Sequence, residues 1–193
     1  MRAPQRRAQL LEVARRLFGS SGYHAVSMEE VARQAGITKP TLYDHFPSKR
    51  DLYLALIDAD LEALHGRVRA ALEAPSGNRE RIRASFQAYF DFVDDHADGF
   101  RLLMQEAIGS DAEVRARIGR VRSELAAEVA GLVARESGGL LRGARAETVA
   151  LALVGMVETV ADREAGWSPA ARRDAAETLV RFAWRGITGL AED

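Results

Sequence analysis

The residues best suited to bind another molecule lie close together near the N-terminus, on a short predicted helix that opens at Thr38. Leu42 and Phe46 occupy its inner face, while the outer face carries small or hydrogen-bonding side chains: Thr38, Lys39, Pro40, Thr41, Asp44 and His45. Such a face would let the helix backbone lie in the major groove of double-stranded DNA, which is roughly 12 Å wide. Lys39 is the candidate for a guanine edge or a phosphate, Thr41 for a thymine methyl or a phosphate, and Pro40 for contact by shape.

Two short helices and a tight turn must position this face. Ser27 and Glu30 have capping-box spacing, in which the hydroxyl accepts a backbone N–H and the carboxylate reaches back to the cap, so a helix is predicted to start there. Gly36 can adopt the left-handed conformation that ends that helix. Pro40 is tolerated in the first turn of the next helix, where amides have no intrahelical partner, and Pro47 ends it.

The stretch SMEEVARQAGITKPTLYDHFPSKRDL, residues 27–52, therefore predicts a helix-turn-helix on a basic segment. It closely resembles the DNA-binding signature of the tetracycline-repressor (TetR) family. The resemblance runs from about residue 7 to residue 57, and the linked elements AGITKPTLYDHFPSKRDL make it highly specific. The rest of the chain matches the family by its helical architecture only.

The resemblance implies a fold and a function. We expect an all-α chain of about nine helices, with a DNA-binding head at residues 1–50 and a ligand-binding and dimerisation bundle at residues 51–193. The implied function is a ligand-responsive transcriptional regulator, a repressor that binds a palindromic operator on double-stranded DNA as a homodimer. A small apolar or amphipathic effector would release the regulator from DNA, provided that the effector binds the DNA-bound and the released arrangements of the protein with different affinity.

The resemblance also places Tyr43, His45 and Lys49 where the family grips the DNA backbone. Ser27 could offer its hydroxyl, or the amides behind it, to another phosphate. The predicted DNA contacts are Ser27, Thr38, Lys39, Pro40, Thr41, Tyr43, His45 and Lys49. Simpler readings stay open: Tyr43 as a half-buried core residue, Lys39 as a solvated charge and His45 as a turn residue. Asp44 is expected to face solvent or orient the helix, because it repels phosphate.

Composition agrees with a globular protein that has a polyanion-binding end. Of 193 residues, 47% are hydrophobic and none is cysteine, which excludes thiol catalysis and thiolate metal sites. Residues 1–50 hold nine basic and four acidic residues, a net charge of +5, whereas residues 51–193 hold 18 and 24, a net charge of −6. Such asymmetry indicates an anionic partner for the head.

Several classes of function lack support in the sequence. We find no paired catalytic carboxylates, glycine-rich phosphate loop or nucleophile elbow, and the four histidines lack metal-ligand spacing, so no enzyme, cofactor or metal is expected. The longest apolar run, residues 149–157, is shorter than a membrane span, and no secretory signal precedes it, so a cytoplasmic location is expected. A helical adaptor whose head binds an acidic protein is the alternative to a DNA-binding regulator.

Helical periodicity continues through the second part, with helices predicted at about 49–74, 79–97, 100–108, 111–136, 145–164 and 169–190. Its aromatic residues could line an apolar ligand cavity or only fill the core. The candidate pocket residues are Phe86, Tyr89, Phe90, Phe100, Met104, Met156 and Thr159. Polar residues that could orient a ligand are His96, Arg101, Gln105, Glu158, Thr159 and Asp162.

The last two helices indicate a homodimer. Residues 149–157 are hydrophobic on all sides, which in a globular protein requires cover from more than one direction. The final helix adds an apolar stripe with small residues that permit close approach: Leu179, Phe182, Ala183, Gly186, Ile187 and Leu190. We expect both helices to pair with their copies in a four-helix interface. Burial within one monomer is the alternative.

Overall fold

The computed structural model describes residues 3–74, 76–96, 112–137, 140–163 and 168–190. Within these ranges the chain is helical and contains no strand. The eight helices described are α1 (Ala3–Ser21), α2 (Met28–Gln34), α3 (Lys39–His45), α4 (Lys49–Glu73), α5 (Asn78–Asp95), α6 (Ala112–Glu136), α7 (Ala144–Arg163) and α8 (Pro169–Leu190). This confirms the all-α prediction. The further helix predicted at 100–108 lies outside the described residues.

The chain forms two compact units. Residues 1–61 and 96–117 make up the first, and residues 62–95 and 118–193 the second. The proposed head at residues 1–50 lies within the first unit. None of the described helices is long and apolar enough to span a membrane.

The first unit is built on residues spaced one helical turn apart. Leu10, Ala14 and Phe18 follow one face of α1 and are completely buried, as the periodicity predicts. Leu52 and Ile57 of α4 are buried as deeply. A buried ion pair also links α1 to α4, since Arg15 Nε donates to Asp60 Oδ1 at 3.1 Å and Asp60 is only 2% exposed. This ion pair fixes α1 against α4, and α2 packs against both α1 and α3.

In the second unit, α8 packs against both α5 and α7, and α5 packs against α7. Phe92 of α5, Ala150 of α7 and Val180 of α8 are among the most buried side chains. Ion pairs join the same elements, with Arg83 of α5 paired to Glu177 of α8. This packing leaves room for a cavity on the inner side of α5.

Candidate nucleic-acid interface and ligand cavity

Local hydrogen bonds define the turn between α2 and α3. Ser27 is the N-cap of α2 and accepts the Glu30 N–H at 3.1 Å. At the other end Gly36 has a φ of +66°, and the Ile37 N–H donates to the Ala32 carbonyl at 3.0 Å. This is the Schellman arrangement that glycine permits, and it confirms the predicted end of α2.

Only one half of the predicted capping box forms. The Glu30 carboxylate does not close it but accepts hydrogen bonds from Arg33 and from Gln34, at 2.6 and 3.0 Å. These partners lie one turn further along the same helix, where the spacing of three or four residues favours side-chain pairs. The prediction for Glu30 was therefore wrong, whereas that for Ser27 is confirmed.

The helix α3 exposes one face and buries the other. Leu42 and Phe46 are completely or almost completely buried, and the guanidinium of Arg7 lies 4.5 Å from the centroid of the Phe46 ring. Thr38 caps the helix by accepting the Thr41 N–H at 3.4 Å. Of the predicted DNA contacts on or beside α3, the structure exposes Thr38, Lys39, Pro40 and Tyr43, and half buries Thr41 and His45.

Lys39 has two neighbours within the helix-turn-helix. Its ammonium forms an ion pair with Glu29 of α2 and lies 5.8 Å from the centroid of the Tyr43 ring. The hydrogen bond with Glu29 is the main cause of a raised pKa for Lys39, so the ammonium is charged at neutral pH. Lys39 is thus a solvent-exposed charge, as the simpler alternative has it, and it also has an acidic partner on α2.

Lys49 lies at the start of α4, which Ser48 caps by accepting the Asp51 N–H at 3.1 Å. Its ammonium donates to the His24 carbonyl at 3.3 Å and lies 4.4 Å from the centroid of the Tyr23 ring. Partial burial lowers the pKa of this ammonium. Lys49 thus has a structural contact with the turn before α2, in addition to the charge that the sequence offers to a phosphate.

The second unit contains a cavity of about 200 Å³ between its helices. Aliphatic and aromatic side chains of five helices form most of its wall, among them Val68, Ile82, Phe86, Tyr89, Leu125, Val129, Leu153, Val157 and Trp184. Asn78 and Glu136 add polar groups to it. The cavity has the apolar wall and few polar groups that are typical of ligand sites.

A small network holds these polar groups. Asn78 Nδ2 donates to Glu136 Oε2 at 3.0 Å, and Arg81 Nη1 donates to Glu136 Oε1 at 3.1 Å. These two hydrogen bonds lower the pKa of Glu136, which is therefore ionised at neutral pH. The cavity wall consequently includes one oriented carboxylate in a mostly apolar surface.

The structure brings part of the predicted pocket set together. Phe86 and Tyr89 line the cavity, whereas Phe90, Met156 and Thr159 are not among its lining residues. Phe90 is buried elsewhere in the core and Thr159 is exposed on α7. Phe100 and Met104 lie outside the described residues.

Two of the polar residues predicted to orient a ligand, Glu158 and His96, are not among the residues that line the cavity. Glu158 pairs with Arg122 at 2.7 Å, and His96 is half-buried just after α5. Arg101, Gln105 and the side chain of Asp162 lie outside the described residues. No group of metal-ligating side chains occurs in the part of the chain that the structure describes.

Sequence reasoning missed the acidic residues of both sites. Glu29 and Lys39 are ten positions apart across a turn, and Asn78 and Glu136 are 58 apart. Helical periodicity relates residues three or four positions apart, so neither separation gives a periodic signal. An acid on the preceding helix could have been considered as a partner for Lys39, but Glu29 and Glu30 are adjacent and the sequence does not distinguish them.

Comparisons with known proteins agree with this geometry. The profile of "Bacterial regulatory proteins, tetR family" matches residues 10–56, and that of "Tetracyclin repressor-like, C-terminal domain" matches residues 78–186. The chain belongs to the TetR family and is a DNA-binding transcriptional regulator. A relative named HTH-type transcriptional activator FasR, from Mycolicibacterium smegmatis, is 38% identical over 189 residues, which cover 95% of this chain and 84% of FasR.

Solved structures share the fold over nearly the whole chain. A TetR-family regulator from Streptomyces coelicolor has a TM-score of 0.79 at 26% identity and covers 100% of this chain and 89% of its own. A TetR-like regulator from Rhodococcus sp. RHA1 has a TM-score of 0.74 at 28% identity and covers 98% and 99%. FadR from Bacillus subtilis, solved in complex with stearoyl-CoA, has a TM-score of 0.75 at 16% identity and covers 91% and 96%.

Proposed function

We propose that this regulator binds a palindromic operator as a homodimer, with α3 of each protomer in a major groove, and that an apolar or amphipathic ligand controls the binding. The observation that carries the proposal is the two-sided nature of α3, whose outer face is exposed while Leu42 and Phe46 anchor its inner face. A short helix held in this way can lie along base edges without losing its shape.

We assign the DNA contacts by the chemistry of the exposed and half-buried groups. Lys39 and Thr41 read base edges in the major groove, and Thr38 and Pro40 allow the helix to approach closely. Ser27, Tyr43, His45 and Lys49 bind the phosphates on either side, as a cap hydroxyl, a phenol, an imidazole and an ammonium can. Ser27 lies at the N-terminus of α2, where backbone amides also favour an anion.

We assign the homodimer interface to α7 and α8. Leu151 of α7 is 56% exposed and Phe182 of α8 is 69% exposed, so each helix presents an apolar side chain that its own chain does not cover. Gly186, also exposed, follows Phe182 by one turn and permits close approach. A symmetric pairing of these two helices would bury both side chains and relate the two heads by a two-fold axis.

The ligand proposal rests on the cavity of the second unit. Its wall suits a hydrocarbon, and Asn78 and Glu136 offer hydrogen-bonding groups to the polar part of an amphipathic molecule. Stearoyl-CoA, which is bound in FadR from Bacillus subtilis, is a natural first probe. A ligand controls DNA binding only if its affinity for the arrangement that binds DNA differs from its affinity for the arrangement that does not.

The direction of regulation depends on where the operator lies. Repression is the expectation from the sequence, whereas the relative from Mycolicibacterium smegmatis is named an activator. The same dimer represses when its operator overlaps the polymerase site and can activate when it lies upstream. We therefore propose regulated DNA binding as the molecular function, with transcription in vitro from the natural upstream region as the assay of its sign.

Selection from a random duplex pool tests DNA recognition. The full-length chain should enrich an inverted repeat with half-sites about 34 Å or one helical turn apart, or a multiple of it. A scrambled duplex of equal length should bind more weakly at every salt concentration, and both affinities should fall with salt. Enrichment of no sequence, together with binding to an acidic protein, would favour an adaptor instead.

Trp184 provides a readout for the cavity because it is part of the wall. Stearoyl-CoA, and separately stearate and free CoA, should be titrated while the tryptophan emission is followed. Val129→Phe fills the cavity and should abolish both the emission change and the effect on operator binding. Ala116→Phe, at an exposed position of the same helix, is the matched control and should respond like the parent chain.

A further inference from the structure

Opposite charges from α2 and α3 meet at the edge of the helix-turn-helix. The Glu29 carboxylate accepts a hydrogen bond from the Lys39 ammonium. Both side chains are largely open to solvent, with exposed fractions of 60% for Glu29 and 49% for Lys39. An acid thus touches the side chain to which base reading is assigned, although acids repel DNA.

Several hydrogen-bonding groups favour the ionised form of Glu29. Its own backbone N–H and the Ser27 hydroxyl join the hydrogen bond from Lys39, which is the largest cause, in lowering the pKa of Glu29. The same hydrogen bond is the main cause of the raised pKa of Lys39. Both groups are therefore ionised at neutral pH, and the pair is part of the folded helix-turn-helix.

The pair affects phosphates and bases differently. An unpaired ammonium on this surface would bind any phosphate, which adds affinity without sequence preference. An ammonium has three donors, so Lys39 can keep Glu29 and still donate to O6 or N7 of a guanine. A phosphate would instead place a second negative charge beside Glu29, and the two would repel. The pair should therefore favour base contact over phosphate contact.

We propose that Glu29 is a specificity-determining residue, a positioning group that keeps Lys39 away from the phosphates of random sequence and directs it to a base edge. The proposal rests on the DNA contact assigned to Lys39 above. Glu30 is its natural control, because it has the same charge on the same helix but bonds to Arg33 and Gln34. Neutralising either acid changes the net charge equally and releases one cation.

The test compares affinities of the full-length chain for its selected operator and for a random duplex of equal length. Glu29→Gln should raise the affinity for random duplex, by up to about eightfold at 0.1 M salt, which is the value of one added phosphate contact. The salt slope on random duplex should steepen by about one, and the ratio of operator to random affinity should fall. Glu30→Gln should leave that ratio at the parent value.

A double variant isolates the pair. In Lys39→Ala, the further change Glu29→Gln should raise the random-duplex affinity no more than Glu30→Gln does, because no ammonium is released. The proposal would be overturned if Glu29→Gln raised the random-duplex affinity equally with and without Lys39. It would also be overturned if Glu29→Gln raised the affinities for operator and random duplex by the same factor. Glu29→Ala, checked by its melting temperature, should behave as Glu29→Gln. Failure of the parent chain to select any operator would contradict the proposed function instead.

Discussion

The Lys49 ammonium offers a charge to DNA and also contacts the protein itself. The ammonium lies 4.4 Å from the centroid of the Tyr23 ring and donates to the His24 carbonyl, so a truncation removes these contacts together with the charge. Lys49→Met keeps the stem and removes the charge. We expect affinity for all duplexes to fall by a similar factor and the salt slope to decrease by about one. Titration of operator and random duplexes at several salt concentrations measures both.

The structural contact of Lys49 needs its own control. Lys49→Met should lose less than about 1 kcal/mol of stability, since it removes one exposed hydrogen bond and one contact of the ammonium with the Tyr23 ring, whereas Lys49→Ala should lose more because the aliphatic stem is removed as well. The melting temperatures of the two variants make this comparison. Unchanged DNA binding by Lys49→Met, with a lowered melting temperature, would assign Lys49 a purely structural role.

Local backbone chemistry at single residues was predictable, but side-chain partners were not. Ser27 and Gly36 act as the sequence indicates because a cap and a left-handed turn depend on the residue and its nearest neighbours. Glu30 has several partners within reach and takes those within its own helix. The partner of Lys39 comes from another helix, and that contact exists only once both helices have packed.

At the scale of elements, α3 depends on its inner anchor. Phe46 is almost fully buried at the end of the helix and stacks with the Arg7 guanidinium. Phe46→Ala should cost about 3 to 5 kcal/mol, because it removes a large buried ring and leaves a cavity. Chemical denaturation followed by circular dichroism measures the loss. Tyr43→Ala, on the exposed side of the same helix, is the control and should change stability by less than about 1 kcal/mol.

The ion pair between α1 and α4 should show an unequal dependence on its two partners. Asp60 is 2% exposed, so removing Arg15 leaves a buried carboxylate without its counter-charge, and Arg15→Met should cost about 3 kcal/mol or more. Removing the acid leaves Arg15, whose side chain is 21% exposed and can be hydrated. Asp60→Asn should therefore cost clearly less, and Arg15→Met/Asp60→Leu should recover most of the loss. Guanidinium unfolding of the three variants decides, and equal losses for both single variants would contradict the argument.

Helices were predictable over most of the chain because proline, glycine and serine interrupt a strong 3.6-residue period. The predicted segments 111–136 and 145–164 differ from α6 and α7 by one residue at most at each end. The cavity was less accessible to sequence reasoning, because its wall joins residues of five helices that only packing brings together. Aromatic content identified Phe86 and Tyr89, but it could not distinguish them from Phe90, which fills the core.

The proposed palindromic operator requires two heads related by a two-fold axis, so the proposed regulation depends on dimerisation. Phe182→Glu places a charge at an apolar side chain of α8 that is 69% exposed and should convert the proposed dimer into a monomer at micromolar concentration. Light scattering during size exclusion measures the mass. The affinity for the operator should fall together with the mass, because one head alone makes half of the DNA contacts.

Leu140→Glu is the matched control for this change, since Leu140 is 61% exposed but lies before α7 rather than on α7 or α8. It adds the same charge and should leave both the mass and operator binding unchanged. A monomeric parent chain that still binds the full inverted repeat would contradict the assigned interface. So would a Phe182→Glu variant that stays dimeric, because burying two added carboxylates in an apolar interface has a high desolvation cost.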